Sequence, residues 1–173
     1  MTDLGLMQVY TGEGKGKTTA AFGLALRAWG RGLRVCIIQF MKVGEDYGEV
    51  MAARKLSGLD LFQFGREKFV RKGKHEPEDE RRAREALSKA RDVLTSGRYD
   101  LVILDEVNVA TDFGLIRAEE VLRTVRSRGE VEVVLTGRGA PKEFLDEADL
   151  VTEMKVIKHP YDSGVEARPG IEY

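Results

Sequence analysis

Residues 6–26, LMQVYTGEGKGKTTAAFGLAL, constrain this chain more than any other stretch. Leu6 to Tyr10 is a short apolar run that reads as a buried strand. Gly12, Gly14 and Gly16 follow within five positions. From Lys17 to Arg31, Ala20, Ala21, Leu24, Ala25, Ala28 and Trp29 recur at helical spacing, until Gly30 and Gly32 stop the pattern. Strand, glycine loop and helix in that order are what a phosphate cradle needs. Glycines let the backbone wrap an anion with its N–H groups pointing inward, and the helix start adds partial positive charge. Lys17 brings a full charge to phosphate oxygens, the Thr18 hydroxyl suits a Mg2+ ion, and Lys15 adds a further cation, so the anion expected is a triphosphate. The fit to G-x-x-x-x-G-K-[ST] is incomplete. Gly16, Lys17 and Thr18 fill the last three places, but Thr11 stands first and the glycines fall at 12 and 14.

Two later segments end at the same kind of edge. LVILDE, residues 101–106, is four apolar residues and then Asp105 and Glu106. A carboxylate at the C-terminal end of a buried parallel strand lies where open α/β sheets collect ligands, and it can hold Mg2+ directly or through water. VVLTGRG, residues 133–139, delivers Thr136, Gly137 and Arg138 to that edge. Arg138 is read either as a contact to phosphate or second substrate, or as a surface residue in a turn.

Between these segments, the patterns predict strands over Val35–Phe40 and Leu59–Phe64 and a short helix over Glu49–Leu56. A highly charged segment, GREKFVRKGKHEPEDE (65–80), is expected to be a mobile surface loop, with Pro77 opening a helix that runs to about Ser96. Further helices are expected over Ala118–Arg128 and Pro141–Glu147, and strands over Val131–Leu135 and Leu150–Val156. Strands alternating with helices imply a single α/β domain with a mostly parallel sheet.

Composition removes other classes. With 173 residues and a net charge of −1, the chain has no broad basic surface for nucleic acid. No apolar stretch approaches the roughly 20 residues that span a bilayer. MTDLGLMQVY lacks a basic segment followed by a long apolar run, so a cytoplasmic location is expected. Cys36, the single cysteine, sits in an apolar strand and reads as core, as do Phe22 and Trp29 on the first helix. His75 and His159 are read as exposed polar residues or as metal ligands.

The chain resembles the P-loop type of ATP:corrinoid adenosyltransferase. The resemblance is carried by GEGKGKTTAAFGLALRAWGRG (12–32), QFMKVGE (39–45), LVILDE (101–106), VVLTGRGAP (133–141), and ADLVTEM with KHPYDSGVEARPGIEY (148–173). It implies that Co(I) of a corrinoid attacks the ribose C5′ of ATP and triphosphate leaves. It also implies that ATP lies reversed in its loop, and the altered glycine spacing is read as fitting that reversal. By resemblance, Gly12, Glu13, Gly14, Lys15, Gly16, Lys17, Thr18 and Thr19, with Arg138, bind ATP. Lys15 and Lys17 stabilise the leaving triphosphate, Thr18 and Glu106 ligate Mg2+, and Asp105 supports the metal. A flavin-dependent reductant and a homodimer are family expectations. The family often carries an aromatic pair in the loop at 65–75, where this chain has only Phe69.

The Asp-Glu pair after the fourth strand, followed by one more strand with a polar tip, suggests a RecA-like P-loop fold with six strands in the order 3-2-4-5-1-6. Two rivals to adenosyl transfer remain at this point. One is an ATPase or kinase acting at the γ-phosphate; the other is a nucleotide-gated binding protein without turnover.

Overall fold

The computed structural model describes residues 4–68 and 70–172. In chain order the elements are β1 (Met7–Thr11), α1 (Lys17–Gly30), β2 (Val35–Phe40), α2 (Gly48–Ala53), β3 (Leu59–Phe64), α3 (Pro77–Leu94) and β4 (Leu101–Asp105). They continue with α4 (Val107–Asp112), α5 (Ala118–Arg126), β5 (Glu132–Thr136), α6 (Lys142–Glu147) and β6 (Leu150–Glu153). The six strands form one sheet in the order β3-β2-β4-β5-β1-β6. Every pairing in it is parallel. The expected order is thus the observed one, and the sheet is wholly rather than mostly parallel.

Alternation along the strands feeds two cores, as a parallel sheet covered on both faces requires. Cys36, Ile38, Phe40, Val102 and Leu104 pack with Ala83, Ala86 and Ala90 of α3, Val121 and Val125 of α5, and Phe144 of α6. Val35, Ile37, Leu101 and Ile103 face the other way, onto Ala21, Ala25 and Ala28 of α1 and Ala53 of α2. Phe22 and Trp29 pack at the margin of this second core. The alanine stripes of α1 and α3 let helix and sheet backbones approach closely. No described helix is long and apolar enough to cross a membrane.

Four local expectations are corrected. The helix α4 was not anticipated, because VNVATD is rich in poor helix formers. Tertiary burial of Val107, Asn108 and Ala110 holds it. The helix α2 ends at Ala53, and Lys55 and Leu56 continue as tight turns onto the carbonyls of Ala52 and Ala53. Strand β6 stops at Glu153 rather than Val156, because Met154 turns to meet the glycine loop. The charged segment after β3 is tied down, not free. Arg66 grips Asp79 through Nε at 2.7 Å and Nη2 at 2.8 Å, and reaches Glu76 at 2.8 Å. Asp79 is buried and also accepts the Glu76 backbone N–H at 2.7 Å, closing the first turn of α3. Phe69 lies outside the described residues.

Candidate active site

Because all strands are parallel, their C-terminal ends meet at one edge, and the register there sets polar residues side by side. Gln39 of β2 pairs with Asp105 of β4 and with Gln63 of β3. The side chains follow suit. Gln63 Nε2 donates to Gln39 Oε1 at 3.0 Å, and Gln39 Nε2 donates to Asp105 Oδ2 at 3.1 Å. Asp105 is wholly buried and collects three more donors. The hydroxyls of Thr18 (2.9 Å) and Thr136 (2.6 Å) reach Oδ1, and Lys42 Nζ reaches Oδ2 at 2.9 Å. Thr136 Oγ1 in turn accepts the Glu106 backbone N–H at 3.1 Å. A fully buried carboxylate requires this degree of satisfaction.

The glycine loop sits across from this carboxylate, where β1 gives way to α1. Lys17 folds over it, donating to the carbonyls of Gly12 and Gly14, each at 2.6 Å. On its outer side the loop is strapped by the exit of β6. The Gly14 N–H donates to the Met154 carbonyl at 2.7 Å, and the Met154 N–H donates to Thr11 at 2.8 Å. A Cβ on Gly12 would stand 2.4 Å from the Met154 carbonyl oxygen, and one on Gly14 would stand 2.7 Å from it. The departure from the usual glycine spacing therefore has a packing cause in this chain. Glycines stand at 12 and 14 because the Met154 backbone crosses there, whichever way a phosphate chain runs.

Charge is concentrated and mutually adjusted. Burial opposes ionisation of Asp105, but Lys42 and the two hydroxyls outweigh it and hold its pKa below the usual carboxylate value. Burial also opposes the charge on Lys42, yet Asp105 and Glu106 prevail and its pKa is raised. Glu106 is pushed up, first by burial and then by Asp105 beside it. Lys17 is lowered, first by burial and then by the field of Arg138. A site where neighbouring groups are shifted in opposite directions has the character of a functional centre.

The expected residues divide into two sets. Lys17, Thr18, Asp105 and Glu106 converge, whereas Lys15 and Thr19 are exposed on the loop and the first turn of α1. Glu13 and Arg138 are exposed at the rim and pair with each other at 3.3 Å. Arg138 is thus a surface residue at the rim of this site. Sequence reasoning gave no role to Lys42, Gln39, Gln63 or Asn108. Asn108 is wholly buried and donates to the Tyr10 carbonyl at 3.3 Å and the Gly137 carbonyl at 3.1 Å, joining β1 to β5. The signal for Gln39 was present, since a glutamine in VCIIQF breaks an apolar strand. Cys36 is buried as expected. His75 is half-buried beside Glu80 at 3.3 Å, and His159 Nδ1 accepts the Tyr161 N–H at 3.2 Å. Among the described residues, no three His, Cys, Asp or Glu side chains group to hold a metal.

A magnesium ion that arrives with a nucleotide needs only one or two protein donors besides phosphate and water. The donor set here fits that demand. Thr18 gives its proton to Asp105 and so turns its oxygen outward. The Glu106 side chain accepts no hydrogen bond among the described residues and approaches Lys42 only to 3.9 Å. Asp105 has its oxygens engaged by four donors, so it suits the supporting place behind the ion rather than direct ligation.

A parallel α/β sheet, a glycine loop opening a helix, and a buried aspartate holding the threonine of that loop define a P-loop fold. The chain belongs to the family ATP:corrinoid adenosyltransferase BtuR/CobO/CobP, whose profile matches residues 3–173. It is 38% identical to a corrinoid adenosyltransferase of Sinorhizobium sp, over 98% of this chain and 80% of the relative. It is 36% identical to a corrinoid adenosyltransferase of Escherichia coli, over 98% of this chain and 86% of the relative. A third relative of the same name, from Pseudomonas aeruginosa, is 34% identical over 98% of this chain and 84% of its own length.

Proposed function

We propose that this protein transfers the 5′-deoxyadenosyl group of ATP to the Co(I) of a corrinoid. The electron pair on cobalt forms the Co–C5′ bond, the C5′–O bond breaks with its electrons passing to oxygen, and triphosphate departs. The carrying observation is the buried Asp105 that holds the Thr18 hydroxyl at the mouth of the glycine loop, in a chain matched end to end by this family. Co(I) is itself a strong nucleophile, so no general base is required of the protein.

The residues take their roles from the charge that develops. Negative charge grows on the leaving triphosphate, and the cationic groups and N–H donors around the loop offset it. Gly12–Thr19 cradle the phosphates, Lys17 and Lys15 supply cationic charge, and Arg138 closes the rim. Thr18 and Glu106 hold Mg2+, with Asp105 behind them. Bound there, the ion supplies Lewis-acid stabilisation of phosphate oxygens. The protein works in the cytoplasm as a homodimer, and a separate flavin-dependent reductant supplies the electron that makes Co(I).

The test is a product assay. The protein is mixed anaerobically with MgATP and chemically reduced cobalamin, and both the corrinoid spectrum and the phosphate products are followed. A light-sensitive adenosyl-corrinoid with inorganic triphosphate is the expected result. ADP and phosphate beside an unchanged corrinoid would replace this reading with hydrolysis or transfer at the γ-phosphate. Nucleotide binding without turnover would leave a gated binding protein.

A further inference from the structure

Lys42 stands in the middle of the oxygen donors just assigned to magnesium. Its Nζ lies 2.9 Å from Asp105 Oδ2, 3.3 Å from Thr18 Oγ1 and 3.9 Å from Glu106 Oε1. Its side chain is only one-quarter exposed. The backbone is built to put it there. Met41, just before it, holds a left-handed φ of 58°, uncommon for a bulky residue, while its N–H donates to the Phe64 carbonyl at 2.9 Å. Gly65, just after β3, presses so close that a Cβ would lie 2.5 Å from the Lys42 backbone nitrogen and carbonyl carbon. The end of β3 thus packs directly against the backbone that carries Lys42.

We infer that Lys42 is the resident cation of this site, and that its ammonium and a divalent ion compete for the Thr18 hydroxyl and the Glu106 carboxylate. The inference rests on the proposed magnesium–nucleotide reading of the site. An ammonium has only donors, and at 3.3 Å it uses the lone pair of Thr18 that a metal would need. Two cations cannot share donors this close without strong mutual repulsion. In the free protein the Lys42 ammonium offsets one unit of the negative charge carried by the adjacent carboxylates Asp105 and Glu106. A bare divalent ion therefore binds poorly. A triphosphate changes the balance by offering Lys42 new acceptors and the metal new ligands together. Metal and nucleotide binding are then coupled, each strengthening the other by the same factor.

The experiment measures Mn2+ binding to the nucleotide-free protein by electron paramagnetic resonance. Lys42→Met and Lys42→Gln should bind Mn2+ roughly tenfold or more tighter than the wild type. Lys42→Arg, which keeps the charge, should stay near the wild type. Adding Glu106→Gln to Lys42→Met should remove the gain. Mn2+ should also raise the melting temperature of Lys42→Met more than that of the wild type. Equal or weaker Mn2+ affinity in the neutral variants would overturn the inference. So would a gain that survives Glu106→Gln, or a Lys42→Met chain that stays unfolded with Mn2+ present. None of these readouts involves corrinoid. Failure of adenosyl transfer in the product assay is therefore distinguishable from failure of cation exchange.

Discussion

At the scale of single residues, Asp105 organises the site. Its two oxygens engage Thr18 of α1, Thr136 of β5, Gln39 of β2 and Lys42 just past the end of β2. Asp105→Asn keeps the volume but leaves the Lys42 ammonium without its closest counter-ion. Removing one partner of a buried ion pair is costly, and about 3 kcal/mol of stability should be lost in urea denaturation. Gly12 is the second test at this scale. Its φ of +94° and the 2.4 Å approach to the Met154 carbonyl both exclude a side chain. Gly12→Ala should cost about 2 kcal/mol from backbone strain and weaken ATP binding, measured by denaturation and calorimetry. Glycine at 12 is thus a demand of β6 as much as of a ligand. The loop motif was evident in the chain, but this reason for it was not, because Met154 is remote in sequence.

At the scale of elements, the charged segment after β3 shows how ion pairs order a loop. Glu76 is held down to about 2, first by Lys68 and then by Arg66, from an ordinary value of 4.5. A depressed carboxylate contributes stability that is full above its unfolded pKa and is lost as pH falls through the folded one. Exchange protection of residues 65–68 and 70–76, taken relative to the intrinsic rate at each pH, should therefore fall and pepsin sensitivity rise as pH drops from 4.5 toward 2. Glu76→Gln should remove that dependence and leave the segment equally labile at neutral pH. A profile unchanged by Glu76→Gln would show that other contacts hold the segment. The charge pattern invited a reading as a free loop, since solvated charge runs and paired ones look alike in sequence. Only the buried position of Asp79 makes Arg66 a clamp. Helix α4 teaches the same lesson: its residues carry little helical preference, and burial against the sheet decides its form.

At the scale of the whole molecule, the core and the site are separate parts of one sheet. The apolar layers fill the middle of the strands, and the polar row occupies their C-terminal ends. Loss of a ligand contact at that edge should leave folding largely intact. Lys17→Ala should still fold without nucleotide, losing about 1 kcal/mol because the Gly12 and Gly14 carbonyls lose their donor. MgATP at about one hundred times its dissociation constant should stabilise the wild type by ~2.7 kcal/mol, a shift of roughly 5–10 °C, and this shift should vanish in Lys17→Ala. A full shift in the variant would remove Lys17 from the phosphate cradle. The order of the strands and the loop strand's place among them were legible from local pattern: each strand, glycine loop and helix is written in contiguous residues, and right-handed crossovers leave few topologies. Lys17, Thr18, Asp105 and Glu106 were legible for the same reason, since each ends or begins an element. Lys42 was not, because it lies 63 residues from Asp105 and nothing local marks a lysine in a polar loop. By itself the sequence determined the parallel α/β sheet and the phosphate loop, which follow from short-range periodicity and glycine placement. Only the tertiary structure decided which side chains meet, because strand register and the approach of β6 are set by packing between segments far apart in the chain.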